Sequence, residues 1–333
     1  MRAQLVGRSG GTCFLLVILV GCTGSGSPTS TATDAAASTA PGATEPAESA
    51  AVPSAPPTLG GHLLFNRFTE ATHTFDAMFT TAADGSGEVE VPMPWTEGGG
   101  RWSRSGELIA IPTQLEDGRV GTAILDATGN VVRVLDIPDE TLNLPCTVWS
   151  PDDARLACEG WDDEDPTRSG IYTVRSSDGG DVVRVTTAPA GMADFPGDWS
   201  PDDDIVFSRP SGDAESGPLF IVKASGGEPG SLTDDVMEDT GRFSPDGTLV
   251  ATSAAGVIQV LDITGSGVSA IEVSGSFSFG PAWSPDGEWV VFSATSSGFN
   301  ADLFVSRTDG SELYQVTRTS ENEIAVDWGL DPD

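Results

Sequence analysis

Short apolar runs separated by polar turns repeat along the chain from residue 61 to its end, and no helical periodicity of useful length interrupts them. Runs of this length, bounded by Gly, Pro, Asp and Ser, predict β-strands. Between two such runs a five-residue unit recurs, consisting of an aromatic residue, Ser, usually Pro, then Asp, and finally Gly or Asp. Its copies are Trp102-Ser103-Arg104-Ser105-Gly106, Trp149-Ser150-Pro151-Asp152-Asp153, Trp199-Ser200-Pro201-Asp202-Asp203, Phe243-Ser244-Pro245-Asp246-Gly247 and Trp283-Ser284-Pro285-Asp286-Gly287, followed by a shortened Asp327-Trp328-Gly329.

Each unit predicts the turn of a β-hairpin. Pro presets φ for the second position of a type I turn, and Asp can accept a hydrogen bond from its own backbone. The closing Gly or Asp tolerates a left-handed conformation. The aromatic positions are 47, 50, 44, 40 and 45 residues apart, and this period is typical of the blades of a β-propeller.

Every repeat offers four strands, named a to d in chain order, with the aromatic residue at the end of strand a. The first repeat starts at strand b, residues 62–66, whereas the chain ends on an isolated strand a, residues 324–328. Pairing of these two strands completes the first blade and removes an open edge. We therefore expect an all-β, six-bladed β-propeller with four antiparallel strands per blade, closed by the C-terminal strand. The recurring aromatic residues are interpreted as packing between blades.

The W-S-P-D-G turn, the apolar strand after it, the D-G turn of the third hairpin and the sixfold count resemble the TolB-type β-propeller repeat. The resemblance covers residues 61–333 and implies a binding platform outside the cytoplasm, without indicating the ligand. TolB itself carries an α/β domain before its propeller. Here a different segment precedes the repeats, so the partners of TolB are not inferred for this chain.

Residues 1–21 have the pattern of a secretory signal peptide, with Arg2, Arg8 and an apolar run from residue 13 to 20 that is too short to span a bilayer. Leu19-Val20-Gly21-Cys22 resembles a bacterial lipobox, which implies that Cys22 carries diacylglycerol and becomes the mature N-terminus. The alternative is ordinary secretion with cleavage near Ala35-Ala36-Ala37. On the lipobox interpretation, the protein is anchored to the cell membrane by lipid alone and faces the extracytoplasmic side.

Residues 22–60 are almost entirely Ser, Thr, Ala, Pro and Gly. Such a composition buries too little apolar surface to offset the entropy of ordering, so it predicts a disordered tether. Residues 61–333 then form the propeller domain.

The formal net charge of the chain is −34. Nucleic acids and anionic lipid headgroups are therefore poor partners. The excess of acid is interpreted as a solvated surface, with a cationic partner or Ca²⁺ as the alternative. The acidic stretch Asp162-Asp163-Glu164-Asp165 offers hard oxygen ligands but lacks the spacing of a calcium loop. We predict no cofactor and no metal, with Ca²⁺ kept as the alternative.

Cleavage of the signal peptide removes Cys13, and lipid attachment modifies Cys22. Cys146 and Cys158 are then the two remaining cysteines. They flank the hairpin turn at Asp152, and they lie opposite each other if Trp149 pairs with Arg155. A cross-strand disulfide suits an oxidising exterior. Two buried free thiols are the alternative.

Catalytic chemistry finds little support. The single Gly-x-Ser-x-Gly motif lies in the signal peptide, and the two histidines, His62 and His73, leave no Ser-Asp-His triad or zinc cluster. No catalytic residue is assigned, and the protein is expected not to be an enzyme. A propeller lyase or hydrolase that uses carboxylates at the channel mouth is the alternative, and it would require His, Arg and acids to converge there.

In a four-stranded meander, the a–b and c–d turns share one face of the ring and the b–c and d–a loops share the other. The second face holds the long, irregular segments, where binding residues usually lie. We predict that a protein or peptide partner in the cell envelope binds this acidic, loop-rich face, and a structural or sensory module is the alternative. The candidate contacts are Trp95, Trp161, Asp162, Asp163, Glu164, Asp165, Phe195, Asp234, Asp235 and Phe299.

Overall fold

A computed structural model describes residues 59–68, 77–92, 99–212, 214, 216–234, 237, 239–295 and 300–331. The predicted signal peptide, Cys22 and the tether up to residue 58 lie outside this part of the chain. No helix in the described part is long and apolar enough to cross a membrane.

Six antiparallel sheets form the six blades of a β-propeller, as predicted. Blade 1 contains β1 (His62–Phe68), β2 (Ala77–Ala82) and β3 (Val89–Val91), and blade 2 contains β4 (Arg101–Trp102), β5 (Leu108–Gln114), β6 (Val120–Asp126) and β7 (Val131–Val134). Blade 3 contains β8 (Leu142–Asn143), β9 (Cys146–Trp149), β10 (Arg155–Asp162), β11 (Gly170–Arg175) and β12 (Val183–Arg184), with a 3₁₀ helix at Pro166–Arg168. Blade 4 contains β13 (Phe195–Trp199), β14 (Asp204–Ser208), β15 (Leu219–Lys223) and β16 (Gly230–Ser231).

The last two blades and the returning strand follow the same order. Blade 5 contains β17 (Arg242–Phe243), β18 (Leu249–Ala254), β19 (Val257–Asp262) and β20 (Gly267–Ile271), and blade 6 contains β21 (Phe277–Trp283), β22 (Trp289–Thr295), β23 (Ala301–Arg307) and β24 (Leu313–Gln315). The final strand, β25 (Asn322–Gly329), returns to blade 1. There β25 pairs antiparallel with β1, placing Trp328 opposite Leu63 and Ile324 opposite Asn66. The predicted closure of the ring is confirmed.

The repeated turns have the predicted geometry. In the Phe243 copy, Gly247 N donates to Ser244 O at 2.8 Å, and the Ser244 hydroxyl donates to Asp246 Oδ1 at 2.6 Å. The closing residues have positive φ, at 58° for Asp153 and 75° for Gly247. This left-handed conformation is the reason that Gly or Asp ends each unit.

The core lies between the blades rather than at the centre of one globule. Six clusters of buried apolar side chains each join two neighbouring blades around the ring. The six repeat aromatics belong to this packing and are at most 6% exposed. Trp149 Nε1 also donates to Arg101 O in the preceding blade at 3.0 Å, and Trp283 Nε1 donates likewise to Arg242 O at 2.9 Å.

Cys146 and Cys158 form a disulfide that joins β9 to β10. The strand register differs from the expected one, because Trp149 pairs with Leu156 rather than with Arg155. A β-bulge between Ala157 and Cys158 absorbs one residue and restores the pairing of the two cysteines. A further departure is β8, which pairs with the extended end of β10 and gives blade 3 a fifth strand.

Candidate functional site

The a–b turns of blades 2 to 6 and, in blade 1, the segment after Trp328 meet around the central axis on the face of the ring that we call the turn face. The opposite face carries the b–c and d–a loops and is called the loop face. A depression of about 350 Å³ opens on the turn face, and we call it the central depression. Its lining includes, in every blade, the residue two positions after the repeat aromatic, namely Leu330, Arg104, Pro151, Pro201, Pro245 and Pro285 in ring order.

The residue immediately before each repeat aromatic lies on the innermost strand, below these turn residues. In ring order from blade 1 these residues are Asp327, Arg101, Val148, Asp198, Arg242 and Ala282. An acidic residue, an arginine and an apolar residue therefore follow one another in the same order twice around the ring. Blades 1, 2 and 3 correspond in this respect to blades 4, 5 and 6.

Two arginines cross the channel in equivalent ways. The Arg101 guanidinium of blade 2 donates from Nη1 to the backbone carbonyl of Gly197 in blade 4. Arg242 of blade 5 donates from Nη2 to the carbonyl of Val326 in blade 1. Each side chain passes over the intervening blade, where the equivalent residue is the smaller Val148 or Ala282.

Two aspartates tie neighbouring inner strands together. Asp198 Oδ2 accepts from Phe243 N at 3.1 Å, and Asp327 Oδ2 accepts from Trp102 N at 2.9 Å, so each carboxylate bridges to the next blade. Burial raises the pKa of the Asp198 carboxyl, but Arg104, Arg242 and Arg101 together lower it more, and the net pKa lies below the ordinary value. Asp198 is therefore ionised at neutral pH.

Arginine charge persists in this cluster despite burial. Burial, followed by the neighbouring Arg242, lowers the pKa of Arg101 to about 9, which still leaves the guanidinium protonated at neutral pH. For Arg104, burial lowers the pKa, but Asp198 more than offsets this effect, so the pKa is raised. The three guanidinium groups are matched by three carboxylates, since Asp198 and Asp327 act on both Arg101 and Arg104 and Asp153 acts on Arg104.

Arg104 breaks the twofold pattern because it stands where four other turns have Pro. Its Nη2 donates to Asp198 Oδ1 at 2.6 Å and to Trp199 O at 2.7 Å, while 40% of its side chain remains exposed. The turn that carries it is held by Asp153, whose carboxylate accepts from Arg104 N at 2.6 Å and Ser105 N at 2.9 Å. The backbone of Arg104 and its Nη2 are thus both held in place at the mouth of the central depression.

The acidic stretch on the loop face is held by its own hydrogen bonds. Asp162 Oδ2 accepts from the Thr141 hydroxyl at 2.6 Å and from Arg168 at 2.9 Å, and Oδ1 accepts from Glu164 N at 2.9 Å. Asp165 Oδ1 accepts from Thr167 N at 3.0 Å at the start of the 3₁₀ helix. These contacts lower the pKa of Asp162 to about 2, with the Thr141 hydrogen bond as the largest cause.

The other described loop-face candidates are divided between blade 3, which carries Trp161 and Asp163, and blade 4, which carries Phe195 and Asp234. Trp161 is half-buried and donates from Nε1 to Asp163 Oδ1 at 3.2 Å. Phe195 begins β13 and is half-buried, whereas Asp234 is exposed after β16. Trp95, Asp235 and Phe299, and with them His73, lie outside the described residues. The described candidates therefore share a face but line no common cavity with the central depression.

Within the described ranges, no group of three or more His, Cys, Asp and Glu side chains could hold a metal ion. Arginines and acids do converge at the channel mouth, as an enzyme would require. The described histidine, His62, instead lies beside Asp331, with Nδ1 3.0 Å from Oδ1, outside the cluster.

Comparison with known proteins bears on the fold. No family model and no curated protein matches the chain. Among solved structures, TolB from Acinetobacter baumannii superposes with a TM-score of 0.57 at 19% identity, covering 82% of this chain and 68% of that one. The putative TolB from Agrobacterium tumefaciens gives a TM-score of 0.55 at 17% identity, covering 82% and 99%. This chain has the fold of a TolB-like propeller.

The TolB-like propeller is also similar to part of an enzyme. A puromycin hydrolase S511A mutant complexed with PGG matches with a TM-score of 0.52 at 19% identity, covering 78% of this chain and 46% of that one. Because these identities establish the fold alone, function must be argued from the residues of the site.

Proposed function

We propose that the protein is an extracytoplasmic binding module whose TolB-like propeller receives a segment of a partner protein in the central depression of the turn face. The depression is the observation that supports this assignment most directly. It lies on the axis, all six blades contribute to it, and it combines apolar walls with a small number of fixed polar groups. Concave sites of that composition are typical of ligand recognition.

This proposal places binding on the opposite face from the one indicated by loop length. We prefer the turn face because its side chains are exposed, whereas acidic side chains on the loop face are already hydrogen-bonded. On the loop face, Asp162 and Asp165 are engaged by neighbouring hydroxyl and backbone groups. On the turn face, Pro151, Pro201 and Pro245 are exposed around Arg104, and prolines present apolar surface with little conformational entropy to lose.

The extracytoplasmic location is inferred from the sequence. The signal-peptide pattern and the lipobox resemblance at Cys22 support a lipid-anchored protein of the bacterial envelope, facing the extracytoplasmic side. Residues 22–60 then act as a tether that lets the propeller reach a partner. A disulfide between Cys146 and Cys158 is consistent with an oxidising compartment.

A binding role is favoured over a catalytic one by the state of the carboxylates. Asp198 accepts from Arg104 Nη2, Trp199 N and Phe243 N, and its lowered pKa makes it a poor proton donor at neutral pH. Asp327 accepts from Trp102 N and lies 3.5 Å from Arg242 Nη1. Both groups thus serve to hold strands and arginines in place.

Site-specific photo-crosslinking tests the proposed face. A photoreactive phenylalanine analogue replaces Pro245, which is exposed on the turn face, and in a matched variant it replaces Asp234, which is exposed on the loop face. After irradiation of intact cells, the proposal predicts a discrete protein adduct from position 245 and none from position 234. An adduct from position 234 alone would assign binding to the loop face.

A further inference from the structure

We propose that the central depression is also the docking site for a segment of the protein's own chain, residues 51–58, which immediately precede the propeller. Docking of this segment goes beyond the proposed function, because it fills the depression before a partner arrives. A partner must then displace the segment in order to bind.

The chain enters the propeller at the rim of the central depression. Blade 1 has no continuous a–b turn, because its innermost strand is β25 and the next strand is β1. At this open turn, Gly60 O accepts from Trp328 Nε1 at 3.0 Å, and Trp328 lines the depression. Leu59 packs into the interface between blades 6 and 1. The chain that precedes Leu59 therefore starts beside the site.

The depression requires no charge from its occupant. The three arginines of the central cluster are already matched by three carboxylates. At the mouth, each lining proline is followed by an exposed aspartate, and these are Asp152, Asp202, Asp246 and Asp286. They repel a further anion. Residues 51–58 carry no charge and avoid this repulsion, whereas Glu45 and Glu48 lie further back along the chain.

The composition of residues 51–58 suits an apolar depression. Their sequence is Ala-Val-Pro-Ser-Ala-Pro-Pro-Thr, in which Pro53 and Pro56 have the P-x-x-P spacing. Segments of this kind favour the polyproline II conformation and dock on surfaces lined by aromatic residues. Trp199, Phe243 and Trp283 line the depression together with four prolines. Because the segment and the wall are both stiff, docking costs little conformational entropy.

Arg104 can donate a hydrogen bond to such a segment. Its Nη2 is occupied by Asp198 Oδ1 and Trp199 O. Within the described part of the chain, the N–H groups on its Nε and Nη1 have no hydrogen-bond partner, and the side chain is 40% exposed. A polyproline II segment has no internal hydrogen bonds, so its carbonyls are free. One carbonyl of residues 51–58 thus accepts from Arg104 without bringing a charge into the site.

The segment is long enough and close enough to fill the site. At ~3.1 Å per residue, eight residues in polyproline II conformation extend over about 25 Å. A depression of about 350 Å³ takes up only part of that length. Attachment beside the rim gives the segment an effective concentration in the millimolar range. Docking that is weak between separate molecules is therefore sufficient within one chain.

Photo-crosslinking of the mature chain tests the docking. The Cys22→Ala protein is purified from the soluble fraction with the photoreactive phenylalanine analogue in place of Pro245. Irradiation should link position 245 to residues 51–58, as identified by mass spectrometry of the digested protein. The analogue in place of Asp234, which is exposed on the loop face, should give no such link. In an equal mixture of unlabelled and heavy-nitrogen-labelled protein, each linked product should carry one isotope only.

Replacement variants measure competition with the partner. A Gly-Ser sequence of equal length in place of residues 51–58 should abolish the link. In intact cells it should raise the yield of the partner adduct from position 245 by about two- to tenfold, because the competing segment is gone. The matched control replaces residues 35–42, which are also uncharged and include Pro41. This control should change neither the link nor the adduct.

Absence of a link to residues 51–58 would overturn the docking. Linked products that carry both isotopes would overturn it as well, because they assign the occupant to a second copy of the chain. Equal partner yields from the two replacement variants would contradict the competition. The proposed function is decided separately, since a partner adduct from position 245 in cells upholds it whatever the purified chain shows. Absence of that adduct even after replacement of residues 51–58 would remove the proposed function itself.

Discussion

Arg101 and Arg242 occupy equivalent positions three blades apart, and each donates its guanidinium to a backbone carbonyl two blades further around the ring. A second pair of arginines is also repeated three blades apart, although each forms its ion pair within its own blade. Arg67 of blade 1 lies 3.1 Å from Glu323, and Arg209 of blade 4 lies 2.6 Å from Asp194. The arrangement of these charged residues in blades 1 to 3 is thus repeated in blades 4 to 6.

These buried charges make the ring sensitive to the loss of one partner. Asp198→Asn removes a carboxylate that faces Arg104 and also the buried charges of Arg101 and Arg242, and it keeps the approximate shape of the side chain. Because an uncompensated buried charge is costly, we expect a loss of about 3 kcal/mol in the free energy of unfolding, measured by urea denaturation. Asp178→Asn is the control, since Asp178 pairs with Arg175 on the exposed surface and should have no measurable effect. Equal midpoints for the two variants would contradict this role of Asp198.

The stabilisation by Asp198 should depend on pH in a defined direction. Its pKa in the folded protein lies below the ordinary value of 3.8. The unfolded chain therefore binds the proton first, and the stabilising contribution is complete above about pH 5 and declines as pH falls through the folded pKa. The stability difference between the unmodified protein and Asp198→Asn should stay constant from pH 7 to 5 and shrink below about pH 4. A difference that grows on acidification would contradict the lowered pKa.

Closure of the ring by β25 predicts that a short C-terminal deletion acts on the whole domain. Residues 324–333 include Ala325, Val326 and Trp328, which pack into the two interfaces of blade 1. Their removal exposes β1 as an open edge. We expect a large decrease in thermal midpoint, together with aggregation detected by light scattering.

A point substitution in the same strand provides a milder form of this test. Trp328→Ala should cost about 3–5 kcal/mol because Trp328 is buried. Leu330→Ala, two residues further on and 47% exposed, should leave the midpoint nearly unchanged. A truncated protein that stays monomeric and melts within a few degrees of the full-length form would refute the importance of closure.

The disulfide should contribute modestly to stability. Cys146 and Cys158 are 12 residues apart, and a loop of this size constrains the unfolded chain by roughly 3 kcal/mol at most. The double variant Cys146→Ala, Cys158→Ala should therefore remain folded with a lower urea midpoint. Peptide mapping without reductant should recover the two cysteines as one linked fragment in protein purified from its native source, and two alkylated thiols would contradict the pairing.

Lipid attachment at Cys22 remains a prediction from sequence. Cys22→Ala should move the protein from the membrane fraction to the soluble fraction, and Cys13→Ala is the matched control because it lies within the predicted signal peptide. The N-terminal peptide of the mature protein should carry the mass of a diacylglycerol group. Unchanged partitioning together with an unmodified peptide mass would exclude the anchor.

The fold was largely predictable from sequence because its determinants are local. The turn unit fixes each a–b hairpin through Ser, Pro, Asp and a left-handed Gly or Asp, and the isolated aromatic strand at the end of the chain indicates how the ring closes. The register at Trp149 could not be predicted, since the bulge at Cys158 depends on the packing of blade 3. The extra strand β8 was not predicted because it is only two residues long.

The candidate site was harder to predict because it is formed by residues far apart in sequence. Loop length favoured the loop face as the binding surface. The charged cluster on the turn face forms only when the six inner strands meet, and its members are Arg101, Arg104, Asp198, Arg242 and Asp327. Two signals were nevertheless present in the sequence. Arg104 replaces the Pro of the repeated turn, and the residue before the aromatic is charged in blades 1, 2, 4 and 5.

Hydrogen–deuterium exchange of the propeller, with and without the partner identified by photo-crosslinking, tests the central claim most directly. Binding in the central depression predicts slower exchange of the amides in residues 103–106, 150–153 and 244–247, with unchanged exchange in the loop-face residues 160–169 and 187–194. Protection confined to the loop-face residues would contradict the account.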